Sequence, residues 1–433
     1  MEHTLVIKKI ITGGKGLGTL PDGMVIMVPA TLPGETVVVR ETKAHKGYKE
    51  AQLVRIIDAA PERTEPPCPY YQNCGGCDLQ HAAYPAQLHG KQQILMEALE
   101  RAHLEIPEGQ PAATLPSPAP FGYRYRVRLH LDPTGRLGFH QRASNQVVPI
   151  QRCLLATEPI NRVIGALVAD AWPQRLKDSF ASLELINCPA SDRVILVLQP
   201  RLTLPSAHDA ALVLELAPLV DQVLIQHEKP GRAKGADTIA TEVSQHFAIQ
   251  GHTYQLDWDH RCFFQVSAQQ NGRLIELALG LLAAHLTPFA ALDLFCGMGN
   301  FSIPLGLMGA QVTGVEHNQR SILWAEHNRR EAGLMQAHFI AENVEQYLKK
   351  SVARNKKFDC ILLDPPRQGL GKASTLLPQL EPRQIIYISC DPATLARDLC
   401  LITAGGYRLT QITPVDMFPQ THHIESVALL ERN

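Results

Sequence analysis

The run Ile385-Ile386-Tyr387-Ile388-Ser389-Cys390-Asp391-Pro392 constrains this chain more than any other stretch. Its first four residues are β-branched or aromatic with no polar alternation, which predicts a strand buried on both faces. Such a strand belongs in the middle of a parallel sheet with helices covering each side. Pro392 has no N–H to give a ladder, so it ends the strand and leaves Cys390 at the carboxyl edge. Ligands gather at that edge in open α/β sheets, which makes Cys390 a candidate nucleophile. The plain alternative is a buried, inert thiol, the usual state of a free cysteine.

The sequence before and after repeats one unit. Ala290 to Phe295 reads as a strand, Cys296-Gly297-Met298-Gly299-Asn300 as a glycine turn, and Phe301 to Met308 as the start of a helix. A second strand, Val312 to Val315, ends in Glu316, and later strands lead to Asn343 and to Asp364-Pro365-Pro366-Arg367. Alternating strands and helices from residue 262 to 433 predict a doubly wound, Rossmann-like parallel sheet. An acid at the tip of the second strand is placed to accept hydrogen bonds from ribose hydroxyls, while the turn admits a ligand close to the backbone. The glycines do not follow the dinucleotide pattern G-x-G-x-x-G. An acidic residue in the first strand, here Asp293, with a single short Gly-x-Gly is the form found in S-adenosylmethionine-dependent methyltransferases, whose cofactor is a sulfonium with no pyrophosphate to cradle.

At 433 residues and 45% hydrophobic content the chain has material for two to four domains with proper cores. No window approaches the roughly 18 uninterrupted apolar residues of a membrane span, and the start lacks the pattern of a signal peptide. We therefore expect a cytoplasmic protein without membrane contact, and a monomer. Ten cysteines in that reducing compartment point to metal or chemistry before disulfides. The net charge of −1 does not announce a nucleic-acid partner, but local charge does.

Residues 1–58 read as a small all-β barrel of about five strands, with Leu5-Val6-Ile7, Met24 to Val28, Thr36 to Val39 and Leu53 to Ile57 between Gly/Pro turns. Gly13-Gly14-Lys15-Gly16-Leu17-Gly18 lacks the strand-to-helix context of a phosphate loop, so we read it as a flexible or tightly turning loop. Lysines and arginines outnumber acids here, which fits contact with a phosphate backbone as well as a solvated face. The unit resembles the TRAM domain, an OB-like RNA-binding barrel.

Residues 59–261 form a central α+β region. A proline-rich linker leads to Cys68, Cys74 and Cys77, three thiols within ten residues and spaced by glycines, as in a thiolate cage. Cys153 is the next cysteine along the chain and the natural fourth ligand. Four thiolates suit a zinc ion or an iron–sulfur cluster, and spacing alone does not choose. A helix is predicted from Gln87 to Leu104. Beyond it, Arg124, Arg126, Arg128 and His130 alternate with Tyr123, Tyr125, Val127, Leu129 and Leu131, which puts a cationic comb on one face of a strand. From residue 121 to 152 there are six arginines and one acid, Asp132, a local patch suited to RNA phosphate. Val194 to Leu198 reads as a strand, and Gly231 to Asp237 as an exposed loop.

Three stretches, Asp364-Pro-Pro-Arg-Gln-Gly369, Ile385 to Cys390, and Asp416-Met-Phe-Pro-Gln-Thr-His-His-Ile-Glu425, resemble in order and spacing the signatures of the RNA uracil-5 methyltransferases. With the barrel and the cysteine cluster, nearly the whole chain is similar to the iron–sulfur branch of that family, which modifies 23S rRNA; relatives sharing the cysteine cluster methylate the T-loop uridine of tRNA. The resemblance implies a [4Fe-4S] cluster on Cys68, Cys74, Cys77 and Cys153. It implies S-adenosylmethionine contacts at Gln265, Phe295, Asn300, Glu316, Asn343 and Asp364, with Cys390 as nucleophile and Glu425 as base. Asp391 stands where the family usually has Asn, and its added negative charge is predicted to raise the Cys390 pKa. His422 and His423 lie near the base in sequence and are read as local structure.

Carbon 5 of uracil is a poor nucleophile. Thiolate addition at carbon 6 makes an enolate that can attack the cofactor's methyl group, after which a base must remove the carbon-5 proton before the thiolate leaves. Two other readings compete. A methyltransferase acting on exocyclic amines wants an aromatic residue after Asp-Pro-Pro, where Arg367 stands here. A non-catalytic RNA-binding protein with a metal-stabilised module would not need Glu316, Cys390 and Glu425 together.

Overall fold

The computed structural model describes residues 1–202, 207–226, 241–282 and 289–433, so the loop expected at 231–237 lies outside the described residues. Strands β1 (Glu2–Ile11), β2 (Lys15–Thr19), β3 (Val25–Pro29), β4 (Thr36–Ala44) and β5 (Tyr48–Asp58) close into a barrel in the order β1-β2-β3-β5-β4. Their inward positions, among them Leu5, Ile7, Ile26, Val28, Val37 and Val39, fill the interior. The stretch expected to be a loop is only partly one, because Lys15 onward is β2 itself. A Cβ on Gly16 would fall 2.2 Å from the Thr31 hydroxyl, so this glycine answers a crowded barrel wall and not a need for flexibility.

After the barrel, α1 (Tyr84–Arg101) begins three residues earlier than predicted, since Pro85 sits in the first turn where its missing N–H costs nothing. Its buried stripe, Gln87, Lys91, Ile94, Leu95 and Leu99, includes a cation and an amide. The central body is a six-stranded sheet in the order β11-β10-β9-β6-β7-β8. Its strands are β6 (Arg126–Leu131), β7 (Leu137–His140), β8 (Val147–Pro149), β9 (Phe180–Asn187), β10 (Val194–Pro200) and β11 (Gln222–Ile225). Helices α2 (Glu158–Ala169), α3 (Trp172–Leu176) and α4 (Ala207–Leu216) accompany it.

On β6 the alternation holds, with Val127, Leu129 and Leu131 buried. The cationic comb does not stand free, however. Arg126 and Arg128 both reach Glu184 of the adjacent β9, at 2.7 and 3.4 Å, and Arg126 also donates to the carbonyls of His260 and Cys262. A cross-strand acid, invisible to local sequence, has turned half the comb into internal structure.

A hairpin, β12 (Val243–Ile249) and β13 (His252–Trp258), and helix α5 (Ala268–Gly280) then lead into a seven-stranded sheet. It comprises β14 (Phe289–Leu294), β15 (Ala310–Glu316), β16 (His338–Ala341), β17 (Cys360–Leu363), β18 (Gln384–Ser389), β19 (Tyr407–Val415) and β20 (Glu425–Arg432), with helices α6 (Ser302–Leu307), α7 (Gln319–Glu331), α8 (Val344–Ala353) and α9 (Pro392–Thr403) between. The order is β16-β15-β14-β17-β18-β20-β19. Pairing is parallel from β16 to β18, as the sequence predicts, but β20 runs antiparallel to both β18 and β19. The link from β19 to β20 holds no helix, and without a crossover the chain must turn back on itself.

Ile385 to Ile388 are fully buried in β18. Ile385 and Tyr387 pack with Leu95, Leu99, Leu395 and Leu399, while Ile386 and Ile388 join the opposite layer with Trp258, Phe264 and Val312. Each such side chain contributes roughly 1.5–3 kcal/mol by burial. The hairpin's Phe247 and Trp258 belong to that second layer, so the segment before residue 262 is packed into the catalytic sheet's own core. No helix among the described residues is long and apolar enough to cross a membrane.

Candidate active site and cysteine pocket

The carboxyl edge of the sheet collects the groups that sequence placed far apart. Because β18 and β20 pair with Ser389 opposite Ser426, the next step along each strand sets Cys390 facing Glu425. Asp364 and Arg367 arrive from the end of β17, the neighbour on the other side. Burial pushes the Cys390 thiol up to about 11, the charges of Glu425 and Asp364 add to it, and the Arg367 guanidinium opposes them. Glu425 is 2% exposed. Burial, reinforced by Asp364, raises its carboxyl well above the usual range, and its Oε1 has no hydrogen-bond partner among the described residues. A buried carboxylate of high proton affinity, with an oxygen that no hydrogen bond occupies, is suited to accept a proton.

Asp391 is not foremost among the charges that raise the thiol. Its carboxylate caps α9, accepting from the Thr394 N–H at 2.9 Å, and the negative neighbours that raise Cys390 are Glu425 and Asp364. An Asp before a Pro at the first helical position is a capping signal, and an Asn would cap equally well. His422 is taken up by Asp78, with Nδ1 2.5 Å from Oδ2, and His423 packs edge-on against Phe418. Burial holds His423 down at about 4, with the neighbouring His422 and the Arg367 guanidinium adding to it. Both histidines are thus engaged by neighbouring side chains.

Of the cofactor candidates, Phe295, Asn300, Glu316, Asn343 and Asp364 lie at or after the carboxyl ends of strands in the same sheet. Phe295, just past β14, has a left-handed φ of +63°, a strained conformation that aims the chain into the turn at Gly297 and Gly299. Glu316 ends β15, where Oε1 accepts the Asn318 N–H at 2.7 Å. Asn343 caps α8 through the Gln346 N–H, and Asn300 exchanges two amide hydrogen bonds with Asn271 at 2.9 and 3.0 Å. Gln265 is buried in the segment between β13 and α5.

The acid of the first strand, Asp293, reads from sequence as part of the methyltransferase pattern but is not among the site residues that the resemblance implies; it is buried in β14. Burial raises it to about 7 with further push from Asp364 and Glu316; Ser302 donates to Oδ2 at 2.5 Å, and Oδ1 has no partner among the described residues. Asp364 is likewise raised to about 7 by burial. Three crowded carboxyls with an unsatisfied oxygen fit a ligand carrying positive charge, such as a sulfonium or an ammonium group.

Sequence reading missed two anchors behind the site. Asp398 of α9 accepts from Tyr387 Oη at 2.6 Å and from the N–H groups of Leu370 and Gly371, pinning the loop that follows Asp364. Lys91 of α1 and Asp416 form an ion pair at 2.5 Å with both side chains at 0% exposure. In each case the readable signal was a charged residue on the apolar stripe of a helix.

Away from this edge, Cys68, Cys74, Cys77 and Cys153 line one cavity of about 70 Å³ together with Tyr70, Phe139 and Arg124. Burial raises Cys68 and Cys74 and pushes Cys77 up to about 12, and each of the three is raised further by Cys153. The Arg124 Nε is buried there without a partner among the described residues, and Arg142 donates to the Cys77 carbonyl at 2.7 Å. Among the described residues no three His, Cys, Asp or Glu side chains are gathered closely enough to share a metal ion. Four thiolates round one zinc would stand roughly 3.8 Å apart, given Zn–S bonds of about 2.3 Å in a tetrahedron.

With the geometry described, comparison with known proteins adds kinship. Residues 83–433 match the family model described as tRNA (Uracil-5-)-methyltransferase. The chain is 35% identical over 435 residues to the 23S rRNA (uracil(1939)-C(5))-methyltransferase RlmD of Pseudomonas putida, covering 99% of this chain and 94% of that protein. It is equally 35% identical to the protein of the same description from Shewanella denitrificans, over 94% and 92%. Among solved structures, the Pyrococcus abyssi tRNA (uracil-54, C5)-methyltransferase in complex with S-adenosyl-L-homocysteine superposes with a TM-score of 0.73, covering 99% of this chain and 100% of that one at 24% identity. At that identity the likeness speaks to fold alone.

Proposed function

The chain belongs to the RNA uracil-5 methyltransferase family, and from that premise we propose that it transfers a methyl group from S-adenosylmethionine to carbon 5 of a uridine in 23S rRNA. The observation that carries the reading is the facing pair Cys390 and Glu425, set opposite each other by the β18/β20 register with Asp364 and Arg367 beside them. Near full-length identity to relatives described as 23S rRNA methyltransferases supports the ribosomal substrate.

When bound, S-adenosylmethionine supplies the methyl group as an electrophile on a sulfonium centre. Glu316 would take its ribose, and Phe295, Asn300, Gln265, Asn343 and Asp364 would hold the rest; the crowded carboxyls of Asp293 and Asp364 support a cationic guest. The target base must be unstacked to reach Cys390 in its half-buried recess. Cys390 Sγ adds to carbon 6 with Arg367 favouring the thiolate, and carbon 5 then accepts the methyl group. Glu425 takes the carbon-5 proton, the electrons of that bond form the carbon 5–carbon 6 double bond, and the sulfur leaves with its own pair.

We assign a [4Fe-4S] cluster to Cys68, Cys74, Cys77 and Cys153. Four thiols on one cavity support it, since such clusters are held by four cysteine thiolates. There the cluster would hold the β6–β8 region against the linker. All ten cysteines are free, which supports a reducing, cytoplasmic setting.

The test is to map 5-methyluridine in rRNA and tRNA from a strain lacking the protein. Loss at one 23S rRNA uridine is expected. Loss from tRNA with every rRNA site intact would transfer the same chemistry to the T-loop.

A further inference from the structure

The loop that delivers Glu425 is tied to the cysteine loop and to the barrel at one point. The N–H groups of Asp78 and Leu79, immediately after Cys77, both donate to the Gln420 carbonyl at 3.1 and 3.0 Å. Gln420 is held in a left-handed conformation, φ +68°, and exchanges amide hydrogen bonds with the buried Gln87 of α1. The Asp78 carboxylate takes His422, and Ile424, 2% exposed, closes a small apolar cluster with Leu79, Ile94 of α1, and Ile10 and Leu32 of the barrel region. From the barrel side Gly14, with φ +70°, lies against the same pair: a Cβ there would stand 2.9 Å from Asp78 Oδ1 and 3.3 Å from His422 Cβ.

On the far side His422 packs against His423, ring centres 4.2 Å apart. His423 Nδ1 lies 3.4 Å from the Arg367 guanidinium, the cation whose charge acts on both Cys390 and Glu425. A contiguous set of contacts therefore runs from the residue after Cys77 to Arg367, whose charge reaches the reacting groups.

We propose that Asp78 and His422 are positioning residues for proton removal, and that the cysteine loop and the barrel fix the place of Glu425 through them. The inference rests on the reading of Glu425 as the base. Methyl transfer needs Cys390 and the cofactor edge, which this joint meets only through the charge of Arg367. Elimination needs a carboxylate aimed at carbon 5, and the joint holds the loop that delivers it. Disturbing the joint should then slow only the step in which Glu425 takes the proton and the carbon 6–sulfur bond breaks, so the covalent protein–RNA adduct accumulates.

The experiment uses full-length protein, RNA substrate and methyl-labelled S-adenosylmethionine, with adduct read on a denaturing gel and amide hydrogen exchange followed over residues 420–426. Asp78→Ala should leave the rate of label entry into RNA within about 3-fold, slow adduct decay by roughly 10–100-fold, the scale at which supporting hydrogen bonds act on a reacting group, and raise exchange in that segment. Asp78→Asn, which keeps an acceptor for His422, should restore decay. Gly14→Ala pushes on the pair from the barrel and should show a smaller accumulation, which keeps the test open if Asp78→Ala fails to fold. Adduct in Glu425→Gln but in neither Asp78→Ala nor Gly14→Ala would overturn this inference alone. Absence of adduct in Glu425→Gln would overturn the reading of Glu425 and the inference with it. An Asp78→Asn protein as slow as Asp78→Ala would also overturn it, since the hydrogen bond would then not be what matters.

Discussion

Cys390 and the pocket cysteines are all disfavoured as thiolates, but by different neighbours. At Cys390 the opposing charges are carboxylates, Glu425 and Asp364, with Arg367 partly offsetting them. At Cys68, Cys74 and Cys77 burial is joined by repulsion from the other thiols, Cys153 above all. The first arrangement keeps a thiol neutral until a substrate carbon takes up its electron pair. The second stays unfavourable unless a lasting positive partner sits among the sulfurs. Burial by itself does not distinguish a nucleophile from a ligand, whereas the identity of the nearest charges does.

The strongest way to break this contrast is Cys390→Ala. Methyl transfer should fall on the order of 10⁶-fold, the scale on which removal of a covalent nucleophile acts, with S-adenosylmethionine affinity unchanged by calorimetry. Turnover near wild type would make Cys390 one more structural thiol. Next comes Glu425→Gln, where loss of the base should slow elimination by about 10²–10⁴-fold and trap adduct. In the pocket, Cys153→Ser should release bound iron and colour while leaving cofactor affinity alone; colourless protein with stoichiometric zinc would sink the cluster assignment.

Acids at the cofactor edge sharpen the comparison through pH. Asp293 and Asp364 are raised from 3.8 to about 7, so between about pH 4 and 7 the folded chain holds protons that the unfolded chain has released. Stability contributed by these groups is complete below about pH 4 and declines as pH rises through 7. Denaturant titration without cofactor should show that decline, Asp293→Asn should flatten it, and a curve rising across the window would refute it. The smallest effect belongs to Asp391→Asn. An amide caps α9 as well as a carboxylate, and kcat should move by less than about 2-fold.

Cys390 was legible because a strand buried on both faces and stopped by proline fixes where its end lies. Glu425 was reachable only by resemblance, since it meets Cys390 through the antiparallel pairing of β20 with β18, and no local pattern specifies a non-local register. The same limit hid Glu184, which neutralises Arg126 and Arg128 from a strand more than fifty residues away. Lys91 and Asp398 were visible as charges on apolar helix stripes, but their partners were not. Gly16 was read as freedom when it marks congestion, because sequence does not show how near Thr31 comes.

The insertion of β20 between β18 and β19 also sets an order of assembly. During synthesis the strand bearing Cys390 leaves the ribosome before the one bearing Glu425, and domains begin to fold as they emerge. Until β20 threads into its slot, β18 lacks a neighbour on that side and the nucleophile stands without its base. A chain that methylated a uracil in this interval would stay bonded to it until the sheet closed, because only the methylated adduct needs the base for release.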